Sequence, residues 1–202
     1  MTTQNSAQRP ALRSQHLSQI TDEVHTRLGV MVEAHAPFET RENFARFVVA
    51  QYSFLSELAA LHNDAELTAI IPDLPARCRA AAVKADLADL DTEVPEPVAG
   101  ALSNPSKAQA LGWLFVSEGS KLGAGILIKR AMGLGLSDTF GARHLGEPTG
   151  GRGQGWKAFI KTINELQLSA EEEAELDQGA IDAFNRFTVL LEQAYATAPE
   201  IA

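Results

Sequence analysis

The residues that most invite chemistry lie together at 115–130, "FVSEGSKLGAGILIKR". The apolar spacing is helical, yet Gly119, Gly123 and Gly125 stand where Ala would serve a helix better by about 0.5 to 1 kcal/mol each. At about 100° per residue, Phe115, Gly119, Gly123, Ile126 and Arg130 fall on one face, while Gly125 points about 160° away from Gly123 and belongs to packing or a bend. An aromatic ring, two stretches of bare backbone, an aliphatic chain and a cation make a wall for a flat, bulky ligand. Arg130, about 10 Å along the axis from Gly123, stands within reach of an anionic group. The same Gly119–Gly123 pair also has the GxxxG spacing of close helix packing, which does not require a charge in the same line. From the residues alone both readings stand.

Five histidines, at 16, 25, 35, 62 and 144, offer further chemistry. There is no HExxH, so zinc-protease chemistry has no support. A di-iron carboxylate bundle needs two Glu-x-x-His pairs; "DEVH" places Asp22 and His25 at i, i+3 without a second copy. His62 and His144 read as ordinary exposed loop or helix-end residues. His25 sits at the edge of an apolar helical stripe, about 60° from Leu28, where a histidine is more often part of a core than a ligand. Ser117 and Ser120 lie in no GxSxG elbow. "GGRGQG" at 150–155 has neither the lysine of a P-loop nor a preceding strand, and reads as a connector.

The elements that must position these residues are all helical. Apolar residues recur at i, i+3, i+4, and period-2 alternation is absent, which predicts an all-α chain. A first helix is expected over 11–33, ended by Pro37, and a second over 41–62 carrying "FARFVVAQYSFL". A short turn near Glu66 precedes a third helix opened by Pro75, then a Pro- and Gly-containing loop over 91–105. Pro105 is expected to open the helix that bears the glycines and runs past Leu134. After a Gly-rich connection over 141–155 come helices over 156–166 and from Ser169, where "SAEE" is a capping box, to Ala196. One domain over 1–202 is expected, with residues 1–10 and 197–202 frayed.

The 202 residues are 45% hydrophobic and 21% charged, enough for a sizeable core. A net charge of −9 argues against nucleic acid, whose binding rests on clustered Lys and Arg. Cys78, the single cysteine, excludes an intramolecular disulfide and reads as inert. No secretory signal or membrane-spanning run is found, so a cytoplasmic protein is expected.

The runs "ALGWLFVSEGSKLGAGILIKR", "ITDEVHTRLG", "FARFVVAQY", "FGARHLGEPTGGRGQGWKAF" and "DAFNRF", in this order and spacing, resemble the haem oxygenases over nearly the whole chain, most closely the bacterial, pseudomonad-type enzymes. The resemblance implies a single-domain fold with haem sandwiched between a proximal helix and a kinked distal helix. His25 takes the place of the proximal iron ligand, and Gly119 and Gly123 those of the distal glycines, with Ser120 and Phe115 nearby. Phe115, Gly119, Gly123, Ile126 and Arg130 would then line the haem. The implied reaction is cleavage of haem, both substrate and cofactor, to biliverdin, CO and ferrous iron, using O2 and electrons from a separate ferredoxin or flavin-type reductase. Iron acquisition and chromophore supply are the implied roles, and a monomer is expected. A neutral imidazole pushes on iron less than a thiolate does, which suits attack on the porphyrin edge over O–O cleavage.

The chain departs from the pattern in two places. Ser120 and Lys121 follow Gly119 where mammalian-type members carry an Asp that organises distal water, so other groups must organise the proton supply. Ser18 and Glu33 stand about two turns before and after His25, where cations would seat the propionates, whereas Arg130 is available on the distal helix. A carboxylate needs a cation or donors, so a haem rotated in its plane and a non-α biliverdin are expected. The alternatives carried are a haem-storage protein on the same fold and another helical-bundle enzyme of thiaminase-like or di-iron type.

Overall fold

The computed structural model describes residues 12–96 and 102–196. The expectation of frayed termini falls outside them. Among the described residues there is no strand, only isolated bridges that close a tight turn between Ser137 and Gly141. The all-α expectation holds.

The principal helices are α1 (Arg13–Ile20), α2 (Asp22–Ala34), α3 (Arg41–Glu57), α4 (Ala65–Ile70), α5 (Ala80–Asp89), α6 (Lys107–Met132), α7 (Arg152–Glu165) and α8 (Ala170–Ala196). The single first helix expected over 11–33 is two. Thr21 is buried between them, and its hydroxyl donates to the Leu17 carbonyl at 2.7 Å, in competition with the backbone ladder. The second helix ends at Glu57 instead of His62, and residues 61–63 form a 3₁₀ turn. Pro75 opens a short 3₁₀ turn (Leu74–Arg77), with α5 starting only at Ala80. Ser106, one residue after Pro105, caps α6 in a reciprocal box with Gln109, and α6 stops at Met132, before Leu134. The Ser169–Glu172 capping box is present as expected.

α6 and α8 share the longest interface of the molecule. Their crossing is built on Gly112 and Gly179. A Cβ on Gly112 would strike the Leu176 carbonyl and lie 2.6 Å from the Ala180 nitrogen, and one on Gly179 would run into Gln109. α3 lays an aromatic layer over the same core. Phe54 stacks on Trp113 at 5.9 Å and meets Phe187 edge-on at 5.6 Å, while Phe44, Leu111, Leu114, Phe159 and Leu176 are fully buried. α2 differs from every other long helix: none of its 13 residues is buried, and it leans on α8 and α1 with Val30 68% exposed.

Candidate functional site

His25 lies one turn past the Thr21 break, its N–H bonded to the Thr21 carbonyl at 2.9 Å. The side chain is exposed, which overturns the expectation that a histidine in this position belongs to a core. Its imidazole leans on Phe184 of α8, with centroids 5.5 Å apart and planes at 48°, and no hydrogen bond ties either ring nitrogen among the described residues. Phe184 thus supports the ring from behind while both nitrogens stay free to coordinate.

The α6 face divides along its length. Phe115 is buried against Trp156 of α7 at 5.3 Å, and a Cβ on Gly119 would meet the same indole at 3.6 Å, an ordinary contact. A Cβ on Gly123 would have nothing within 4 Å, and Ile126 is 69% exposed beside it. The GxxxG packing reading therefore fails for this pair; the glycines that pack helix on helix are Gly112 and Gly179. On the other side, a Cβ on Gly125 would meet the Arg152 side chain at 3.4 Å, so this glycine faces α7 and not the Gly123 face. Ser120 is exposed and donates its hydroxyl proton to the Ser117 carbonyl at 2.7 Å, so in this rotamer it has only acceptor lone pairs to offer.

Arg130 is not free, as the sequence suggested. It forms a two-pronged ion pair with Glu33 of α2, one prong at 3.0 Å, and its guanidinium lies 4.2 Å above the Phe38 ring. The hydrogen bond from Arg130 holds the Glu33 carboxyl below the usual carboxylate range, and Glu33 in turn raises the guanidinium. α2 and α6 are tied at this point. Along their own helices, His25 precedes Glu33 by about 12 Å and Gly123 precedes Arg130 by about 10 Å.

Behind α6, on the side away from the glycines, lies a buried polar layer the sequence did not suggest. Glu118 is 3% exposed and accepts from Arg77 at 2.8 Å and from Lys121, whose ammonium also donates to the Arg77 carbonyl. His62 is 1% exposed; its Nδ1 lies 3.0 Å from the Leu58 carbonyl, and burial lowers its pKa. His144 is 6% exposed and paired through Nδ1 with the fully buried Asp86 at 2.7 Å. The expectation that both are exposed loop residues is thus corrected: local backbone folds each ring inward onto an acceptor. Asp86 also takes the N–H groups of Arg143 and His144, and Arg152 donates to the Leu145 carbonyl at 2.8 Å, so the Gly-rich connector is clamped to α5 and α7. The i, i+3 carboxylates of Asp86 and Asp89, on one face of α5, were the available signal for this clamp.

Among the described residues no three His, Cys, Asp or Glu gather to hold a metal ion, as a di-iron bundle would require. No described helix is long and apolar enough to cross a membrane.

Comparison with known proteins places the chain in a family. A heme oxygenase PigA of Pseudomonas aeruginosa is 51% identical over 189 residues, 93% of this chain and 96% of that protein. A heme oxygenase from Neisseria meningitidis, solved with NO and CO bound, superposes with a TM-score of 0.87 at 36% identity, covering 94% of this chain and 95% of that one. With the Heme oxygenase family model matching residues 12–193, the chain belongs to the haem oxygenase family.

Proposed function

We propose that this haem oxygenase seats its substrate between α2 and α6 and cleaves it to biliverdin, CO and ferrous iron. His25 is the protein ligand of the iron. Phe115, Gly119, Gly123 and Ile126 form the opposite wall, Ser120 accepts hydrogen bonds at its edge, and Arg130 pairs with a propionate. The observation that carries this reading is Gly123. A glycine inside a helix, with nothing within 4 Å of where its Cβ would stand, forgoes about 0.5 to 1 kcal/mol of helix stability with no packing return. A planar ligand laid against the bare backbone supplies the reason.

The residues present fit haem. His25 offers an imidazole held by Phe184 with both nitrogens uncommitted, Gly123 and the exposed Ile126 offer an apolar wall, and Arg130 offers a cation. Bound haem supplies the redox chemistry, with O2 and electrons from outside the chain. The protein orients the macrocycle, excludes bulk water with the α6 face, and leaves room on the glycine side for a small ligand.

Arg130 is the cation of this face, and Ser18 and Glu33 supply none near His25, which supports a haem rotated in its plane and a non-α biliverdin. The electron donor is a reductase of ferredoxin or flavin type, and the enzyme works as a cytoplasmic, single-domain monomer in iron acquisition or chromophore supply. The test is to bind haemin, record a histidine-ligated Soret band, and add the reductant under air. Loss of that band with growth of a biliverdin band is expected. A Soret band that persists under turnover conditions overturns the reading in favour of haem storage, and chromatography of the product reads the isomer.

A further inference from the structure

We infer that Glu33 is a built-in competitor for the substrate carboxylate: the Glu33–Arg130 pair closes the mouth of the cleft, and a haem propionate opens it by taking Glu33's place on the guanidinium. This rests on the reading of α2 and α6 as the walls of the haem site.

Three observations carry it. First, the pair ties the two walls, and it is two-pronged through Nη1 and Nη2, so the end-on guanidinium edge that a propionate would use is already taken by a carboxylate of the same shape. Second, the two partners are anchored unequally. Arg130 lies over Phe38, whose ring packs on Phe44 at 5.6 Å and Phe47 at 6.1 Å, both fully or nearly fully buried, so the guanidinium keeps its position with Glu33 released. Glu33 is carried by α2, which has no buried residue, and its side chain is 61% exposed, so it can swing into water. Third, an exposed ion pair of this kind contributes little net stability, because both charges are well solvated apart. Exchange of one carboxylate for another on Arg130 is therefore nearly balanced, and burial of the macrocycle decides it.

The consequence is selectivity. A flat apolar molecule without a carboxylate gains the wall but leaves the tie closed. One with a carboxylate at the right reach gains the wall and opens the tie. Glu33 also repels any propionate directed to the α2 side, which favours the seating toward Arg130.

The test is haemin binding to the wild type, Glu33→Gln, Arg130→Gln and the double variant, by Soret titration and stopped-flow association. Glu33 and Arg130 are solvent-accessible, and circular dichroism confirms that the helices are retained. Glu33→Gln is expected to tighten haemin and speed its association about five- to tenfold, and to lose most of this gain in the Arg130→Gln background. An equal gain in both backgrounds means repulsion without competition and overturns the proposal, as does no gain or a weakening in Glu33→Gln. If the wild type binds no haemin, or His25→Ala keeps the wild-type haem spectrum, the seating itself fails and the competition with it. If those hold and only the Glu33 variants disagree, the competition alone is wrong.

Discussion

Gly112 of α6 and Gly179 of α8 sit backbone against backbone: a side chain on Gly112 would collide with Leu176 and Ala180, and one on Gly179 with Gln109. This is the contact that sets the distance between the two longest helices. Gly112→Ala must push α8 away across the whole aromatic layer of Phe54, Trp113 and Phe187. Overpacking of this kind costs about 3 kcal/mol or more, a fall in Tm of about 6 to 12 °C for a chain of this size. Thermal unfolding of the variant checks it, and an unchanged Tm would contradict the crossing.

Gly123, eleven residues along the same helix, is expected to behave in the opposite way. With nothing within 4 Å of the added methyl group, Gly123→Ala gains helix propensity and raises stability by about 0.5 to 1 kcal/mol. Gly123→Leu also folds, because its side chain enters open space, but it fills the wall and weakens haemin binding by at least tenfold. Calorimetry and Soret titration on the same samples separate the two effects. Loss of stability in Gly123→Ala would mean that the glycine serves packing after all.

The contrast between these two glycines shows what the sequence makes legible. Helical periodicity located α3, α6 and α8, and the helical wheel placed Gly119, Gly123 and Arg130 on one face. It could not tell which glycine meets another helix, because that depends on which helix crosses where, and Gly112 carried no mark of its own. Thr21 hid the α1–α2 break because a buried hydroxyl on a ladder carbonyl looks in sequence like any helical Thr. His144 is drawn inward by Asp86, 58 residues away, which periodicity does not connect to it, and His62 turns in on the Leu58 carbonyl one turn back, a backbone acceptor that carries no side-chain mark in the sequence. Glu33 opposite Arg130 lies 97 residues away in the chain, so only the packing of α2 beside α6 brings the pair together.

His62 makes a pH-dependent contribution to stability. Burial favours its neutral form, so its folded-state pKa lies below the unfolded value of about 6.5. The unfolded chain then binds the extra proton first, and stability rises with pH. The contribution is fully present above about pH 6.5 and is lost as pH falls from there toward the lowered folded pKa, with a slope of at most about 1.4 kcal/mol per pH unit. Urea unfolding between pH 7.5 and 5.5 should show this loss in the wild type and a shallower dependence in His62→Gln. The same slope in both would assign the acid sensitivity elsewhere.

His25 tests the site at its centre. The ring is exposed and rests only on Phe184, so His25→Ala removes no hydrogen bond among the described residues and no fully buried group; Tm should move by less than about 2 °C. The haem spectrum, by contrast, should lose its histidine-ligated form, and turnover to biliverdin should fall by at least a hundredfold if His25 is the ligand as proposed, because α2 carries no other histidine. Free imidazole, which fits the volume the truncated side chain leaves beside Phe184, should restore the ligated spectrum. Phe184→Ala should give an intermediate result: the ligand stays, its ring loses its support, and the haem spectrum broadens without a change of ligand. A His25→Ala protein that kept the wild-type spectrum would place the iron ligand on another residue, and with it the wall that α6 faces.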